Sequence, residues 1–493
     1  MGLIRSQALS SAAVTYLGVA VGAVNFIVLF PRFFSTEHIG LVRLLLSLSL
    51  VYTQVSQFGL INALYKFYPV YRPDSARLRA FVYWLYLLFA LGFAAVAALY
   101  ALFKPWLVEI YSEKSALYGE YYYHLIPLCL ALSAFNLFEG FAASKMKTVA
   151  SGVIKEVGIR FSTTGAIALY AFDVVDFETF VELYVYLHAA AAAAQGLASW
   201  RWGLEKPGAP RALARNELYE IVRFGAYSML STGAVLMMTN TDTLMLGAMV
   251  GLSAVGVYGI YLNVATVVSI PARAIVRIAY PVVTRAFAQN DFREIAAVYR
   301  KTVEVQTVLA LWVFGGIWIN GGHLTALLKA DEYARAFDVY LLLGASFVVN
   351  AAFGVNHYLL AASRHYRYEL YLNAAALALN VALNYAMIKA WGAAGAAGAS
   401  VLSMLALNVM KWYVLKRFYG LQPFAWTSAK GYVAMAPALA AGFWMPKLDV
   451  WPADMALRSA AFTLVYFGLC LALRAAPDLN AFARDAAIRI RRG

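Results

Sequence analysis

The chain has 493 residues, 62% of them hydrophobic and 13% charged, and its mean hydropathy is +0.66. A soluble domain is roughly 45–50% apolar and about 25% charged, so this composition excludes an ordinary globular protein as well as a disordered or collagen-like one. Two cysteines, Cys129 and Cys470, both inside apolar runs, cannot build a disulfide framework, and the net charge of +14 resides between apolar segments.

A helix needs about 20 apolar residues to cross the hydrocarbon core. Fourteen such stretches follow one another at 9–31, 40–64, 80–103, 121–142, 149–171, 180–199, 225–248, 254–276, 303–321, 337–361, 370–390, 395–415, 431–446 and 456–473. The first follows Arg5 but is too long for a signal peptide and lacks a small-residue cleavage site before Pro31 and Arg32. The thirteenth is interrupted by Pro437. The fold class expected is an all-α polytopic membrane protein of about fourteen transmembrane helices.

The connections alternate in charge. One set carries Lys66, Arg72, Arg77 and Arg79, then Lys145 and Lys147, then Arg201, Lys206, Arg211, Arg215 and Arg223. It continues through Arg285, Arg293, Arg300, Lys301, Arg364, Arg367, Lys411, Lys416, Arg417 and Lys430 to a tail with Arg484, Arg489, Arg491 and Arg492. The other set holds Glu109, Glu113, Glu120, Asp173, Asp176, Glu178, Glu182, Asp331, Glu332 and Asp338. The positive-inside rule then places both termini in the cytoplasm of a multi-pass protein of the cytoplasmic (inner) membrane. Topology and contact with anionic membrane lipids account for the basic excess, so no nucleic-acid partner is expected.

The sequence also repeats itself. Ala142-Ala-Ser-Lys145 closes the fourth stretch and Ala361-Ala-Ser-Arg364 the tenth, an offset of 219. Gly40 corresponds to Gly256 and Pro69 to Pro281 near the same offset. A shift of six spans keeps each copy in the same direction, which makes the repeat parallel, an arrangement used by alternating-access transporters. The expected organisation is a six-helix bundle at 1–203, a cytoplasmic linker at 204–224, a second bundle at 225–418 and two additional helices with a basic tail at 419–493.

The segment Asn240-Thr-Asp-Thr-Leu-Met-Leu-Gly247, followed by Gly251 and Val255-Gly-Val-Tyr258, resembles the seventh-helix signature of polysaccharide-biosynthesis flippases. Ala361-Ala-Ser-Arg364, Asn380, Asn384 and Gly392-Ala-Ala-Gly395-Ala-Ala-Gly398 resemble the same family's tenth-to-twelfth helix region. The family is that of the Wzx-type oligosaccharide-lipid flippases, within the larger group of multidrug exporters and lipid II flippases. The resemblance implies two bundles around a central cavity and inner-to-outer translocation of an undecaprenyl-pyrophosphate-linked oligosaccharide. A polysaccharide polymerase and glycosyltransferases of the same pathway are the implied partners of a monomer.

Charges within apolar stretches cost roughly 2.5–3.5 kcal/mol on insertion scales and are functional candidates by default. Arg160 is the deepest, with Glu156 one turn earlier at ion-pair spacing, so structural pairing and substrate binding are both open. Arg273 and Arg277 share a helix face just past Pro271, a residue expected to kink the helix, and guanidinium groups match pyrophosphate oxygens bidentately. Snorkelling toward headgroups is the alternative. Lys66 and Lys155 could extend a basic floor, topology being the favoured alternative for Lys66, and Arg43, four residues into the second stretch from the outer side, could receive the phosphate outside, snorkelling to the headgroups being the favoured alternative. Asp242, near the end of its helix, is the cation candidate, with neutral oxygens from Asn240 and Thr243, a structural hydrogen bond being the equal alternative; Glu139 is ambiguous in the same way. These two acids carry the expectation of coupling to a proton or sodium gradient.

No Walker loop, HExxH or Cys/His cluster occurs, and the six histidines are scattered, His357 reading as packed or hydrogen-bonded. Hence no enzyme activity, metal site or bound cofactor is expected. The rival readings are a cation-coupled multidrug exporter of the same fold and a membrane-embedded glycan polymerase or ligase.

Overall fold

A long run of alanine, leucine, valine and aromatic residues can satisfy its backbone groups in lipid only by winding into helices, and every regular element among the described residues is helical. The computed structural model describes residues 14–480 other than 16, 329, 330 and 479. Arg5 and the tail arginines Arg484, Arg489, Arg491 and Arg492 lie outside the described residues, as does the start of the first stretch.

In chain order the main helices are α1 (Leu17–Phe33), α2 (Thr36–Ser56), α3 (Leu60–Tyr71), α4 (Ser75–Leu102), α5 (Leu125–Ser144), α6 (148–171), α7 (Phe177–Arg201) and α8 (Arg215–Met249). They continue as α9 (Leu252–Gln289), α10 (Phe292–Ile319), α11 (Phe337–Ala352), α12 (Asn356–Ala362), α13 (Tyr368–Tyr419), α14 (Trp426–Phe443) and α15 (Trp451–Leu473). The described part of each of the fourteen apolar stretches falls mainly on one of these helices, on a half of α13, or on one of the pairs α2/α3 and α11/α12. Among the described residues eight helices are long and apolar enough to cross a bilayer alone, or nine when the bent pair α11/α12 counts as one span. The chain is a multi-pass membrane protein.

The local chemistry explains the ends and breaks. Asp176 caps α7, accepting the Thr179 amide at 2.9 Å, and its bonds from Thr179 hold this exposed carboxyl below the usual carboxylate range. Asp74 and Asp291 cap α4 and α10 in the same way. Gly392, at φ +54° and ψ −128°, turns α13 back on itself and so converts one 52-residue helix into two spans. The expected break at Pro271 takes the form of a tight 3₁₀ turn over Val267–Ser269, with proline in the first turn of the segment that follows. Pro437 is accommodated inside a continuous α14.

Two compact units divide at Gly259/Ile260, inside α9. In the first unit, α2 lies against α8 and the start of α9. At that crossing a Cβ on Gly40 would overlap the carbonyl of Leu252, and one on Gly256 would overlap the carbonyl of Thr36. The residues meet their own repeat mates: Thr36 faces Leu252, Gly40 faces Gly256, and Thr36 Oγ1 lies 2.8 Å from Ser253 Oγ. Such reciprocal contact is the mark of a local two-fold relation between the two copies. In the second unit α15 is tied to α10 by Trp312 Nε1 to Thr463 Oγ1 at 3.1 Å and Tyr466 Oη to Val308 O at 3.0 Å.

Gly40→Ala should therefore force two backbones apart and cost about 1–3 kcal/mol, as overpacking does, read as a lower thermal unfolding midpoint in detergent. Gly165→Ala, at a helical glycine with open space around it, should be neutral or stabilising. Equal midpoints for the two variants would refute the tight crossing.

Candidate functional site

The glycine crossing determines what lies beside it. Arg43 stands one turn past Gly40 on α2, and its aliphatic stem runs over Gly259, where a Cβ would come within 3.2 Å of Arg43 Cγ. Position 259 is the repeat mate of Arg43 at the same offset of 216, so the second copy leaves empty the volume that the first copy fills with a guanidinium.

Around this position is a buried polar cluster. Asp242 on α8 is 6% exposed and accepts a hydrogen bond from Tyr258 Oη of α9 at 2.7 Å. Tyr258 and Tyr184 of α7 are the electrostatic neighbours of Arg43. His188, one turn along α7, sets its Nδ1 2.8 Å from the Tyr184 carbonyl. Arg43 Nε is enclosed and has no hydrogen-bond partner, and no carboxylate lies within ion-pair distance of Arg43 among the described residues. Asn240, 7% exposed, donates back to the carbonyl of Leu236 at 2.9 Å, and its i,i+2 spacing from Asp242 turns it to a different face of α8.

The other candidate cations of the first unit have partners. Arg160 Nη2 pairs with Glu156 Oε2 at 2.8 Å across one helical turn, the arrangement the spacing suggested, with its side chain against Gly22 of α1. Both partner helices carry a π turn here, Val24–Leu29 in α1 and Val153–Gly158 in α6. The widened turns free backbone groups that side chains then satisfy: Asn25 Nδ2 donates to the Arg160 carbonyl at 2.9 Å, and Thr164 Oγ1 donates to Asn25 Oδ1 at 2.7 Å. Lys155 pairs with Glu139 at 3.0 Å, so two residues considered for different tasks form one ion pair between α5 and α6. Lys66 Nζ sits 4.1 Å from the Phe224 ring centroid and 4.9 Å from that of Phe67, a cation–π arrangement that needs no anion.

In the second unit Arg273 and Arg277 are both exposed on α9 beyond the 3₁₀ turn. Arg273 Nη2 lies 3.1 Å from Ser269 Oγ. Tyr184 as a neighbour of Arg43 and Tyr258 as the donor to Asp242 were not assigned from sequence. The signal for Tyr258 was its place in the Val255-Gly-Val-Tyr258 motif next to the Asp242 motif.

Comparison with known proteins places this arrangement. The family described as polysaccharide biosynthesis protein matches residues 4–287, more than half of the chain. The chain belongs to that family. The MatE family also matches, at residues 228–386. The probable low-salt glycan biosynthesis flippase Agl15 of Haloferax volcanii is 21% identical over 229 residues, 46% of this chain and 47% of that protein, so the match spans about half the length of the curated relative. The fold is similar to that of the lipid II flippase MurJ in an inward closed conformation, with a TM-score of 0.77 at 9% identity, covering 97% of this chain and 99% of that one. It is also similar to an inward-facing multidrug resistance MATE family transporter of the MOP superfamily, with a TM-score of 0.64 at 12% identity over 84% and 98%.

The Arg160–Glu156 pair gives a direct check. Arg160→Ala strands a carboxylate inside an apolar span and should destabilise more than the double variant Arg160→Ala/Glu156→Gln, with a coupling of about 0.5–3 kcal/mol in a thermal unfolding cycle. Additive effects would show that the two side chains do not act as a pair.

Proposed function

We propose that the protein is a flippase that carries an undecaprenyl-pyrophosphate-linked oligosaccharide from the inner to the outer leaflet of the cytoplasmic membrane by alternating access, with both termini in the cytoplasm. The observation that carries this reading is Arg43. A guanidinium inside an apolar span costs several kcal/mol unless an anion meets it, and Arg160 and Lys155 of α6 have their carboxylates while Arg43 has none among the described residues. A phosphate presents oxygens that pair with guanidinium in two parallel bonds. Family membership and the glycan-flippase name of the Haloferax volcanii relative support a lipid-linked glycan as the cargo.

Arg273 and Arg277, exposed on the half of α9 expected to be cytoplasmic, suit first capture of the pyrophosphate, and Arg43, toward the outer end of α2, suits its release. Asp242 is the candidate for coupling to a proton or sodium gradient, since Tyr258 can hold it in either charge state. A pathway polymerase and glycosyltransferases would supply and consume the cargo.

Export of cationic drugs is a second reading, favoured by the MatE match over 228–386. Such a cargo would be repelled by a bare guanidinium, whereas an anionic headgroup is attracted by it.

Purified protein in vesicles should move a lipid-linked oligosaccharide between leaflets. Loss of one charge-assisted bond, about 1.5–3 kcal/mol, sets the expected slowing for Arg43→Ala at roughly ten- to hundredfold, with Arg43→Lys in between. Undiminished movement in Arg43→Ala would remove Arg43 from the path, and drug efflux without lipid movement would favour the exporter.

A further inference from the structure

The tenth span is broken, and a charged triad sits just past the break. α11 and α12 meet at 47° across Phe353–Val355, where Gly354 has φ +59° and packs against Thr302 and Val303 of α10. Three asparagines brace both sides of this joint. Asn408 of α13 donates to Asn350 Oδ1 before the break at 3.3 Å and accepts at its own Oδ1 from Asn356 after the break at 2.9 Å.

One residue beyond Asn356, His357 Nδ1 lies 2.5 Å from Glu369 Oε1, and Lys411 Nζ lies 2.9 Å from the same oxygen. Lys411 Nζ is 3.4 Å from His357 Nδ1. Lys411, which the charge pattern placed among the topology-setting cations, has a side chain only 6% exposed, and Glu369 one only 13% exposed; His357 is half exposed. Glu369 Oε2 is enclosed and has no hydrogen-bond partner.

We propose that the His357–Glu369–Lys411 triad is a proton-binding site that sets the angle of the α11/α12 joint. With the ring proton on Nδ1, the imidazole and the ammonium both donate to Glu369 Oε1. The resting triad is then neutral, with both donors on Oε1 and none on Oε2. The half-exposed ring can take a second proton at Nε2. Imidazolium and ammonium would then stand side by side with one carboxylate between them, a charge imbalance felt on the buried Lys411–Glu369 side of the triad. The unused Oε2 offers the way out. A cation that shifts to it separates the two positive charges, and when His357 is the one to move, α12 must turn about Gly354.

The charges and titratable groups nearby are few. α12 itself adds Tyr358, whose ring meets Tyr280 of α9 at 5.5 Å, and Arg277 lies one turn before Tyr280, exposed. Arg364 and Arg367 lie between α12 and α13, both exposed, Arg367 two residues before Glu369, and His365 is engaged with the Tyr419 hydroxyl at 2.8 Å.

The test is the full chain in lipid nanodiscs, with spin labels at the exposed positions Asp338→Cys and Ala361→Cys and with Cys129 and Cys470 replaced by serine. Lowering the pH from about 8 to about 5 should move the inter-label distance by about 2 Å or more along a single-proton titration curve. His357→Gln and Glu369→Gln should abolish the movement, and His365→Gln should keep it. Protection factors of residues 353–362 of the unlabelled wild type, corrected for the intrinsic pH dependence of amide exchange, should change across the same pH range. A wild type with no pH response in either readout, or a response that survives His357→Gln, overturns the proposal. Neither readout depends on what the protein transports.

Discussion

The constraint from which this structure follows is that hydrocarbon offers no partner to a polar group, so every backbone amide and every charge within a span must be met by the protein itself. Helices solve the backbone part. The side chains solve the rest in different ways at different depths: Glu156 neutralises Arg160, Glu139 neutralises Lys155, aromatic faces receive Lys66, and Tyr258 holds Asp242. Against that background Arg43 stands out, with its Nε enclosed and no carboxylate within ion-pair distance among the described residues, and the proposed phosphate-bearing cargo is what would meet it.

The position of Arg43 is a product of near-symmetry. The two copies touch through Gly40 and Gly256, each glycine facing a carbonyl four residues before the other, which brings α2 and α9 to backbone contact. Perfect symmetry would place equivalent residues at 43 and 259 in conflict for the same volume. Glycine at 259 resolves it and leaves room for the Arg43 side chain. The second unit carries a different specialisation, with three asparagines and a buried ion triad around a broken helix.

Much of this was legible in the sequence because membrane solvation writes long, one-dimensional signals. Span positions followed from apolar runs, the turn within α13 from Gly392, and the Arg160–Glu156 pair from helical spacing. What escaped was whatever depends on which face a helix presents. Lys155 and Glu139 come from different helices and gave no local sign of pairing. Lys411 read as a topology marker because its distance from a helix end is visible in sequence and its direction is not; α13 turns it inward to Glu369. The Gly40–Gly256 correspondence was visible, but a repeat states which residues are equivalent and not which of them touch.

The central claim is that Arg43 meets a phosphate of a lipid-linked cargo, and a binding measurement tests it without any transport step. Native mass spectrometry of the protein with undecaprenyl pyrophosphate and with undecaprenol should show retention of the pyrophosphate lipid over the bare alcohol, and Arg43→Gln should lose roughly tenfold or more of that preference. Equal retention of both lipids, or a preference untouched by Arg43→Gln, would contradict the account.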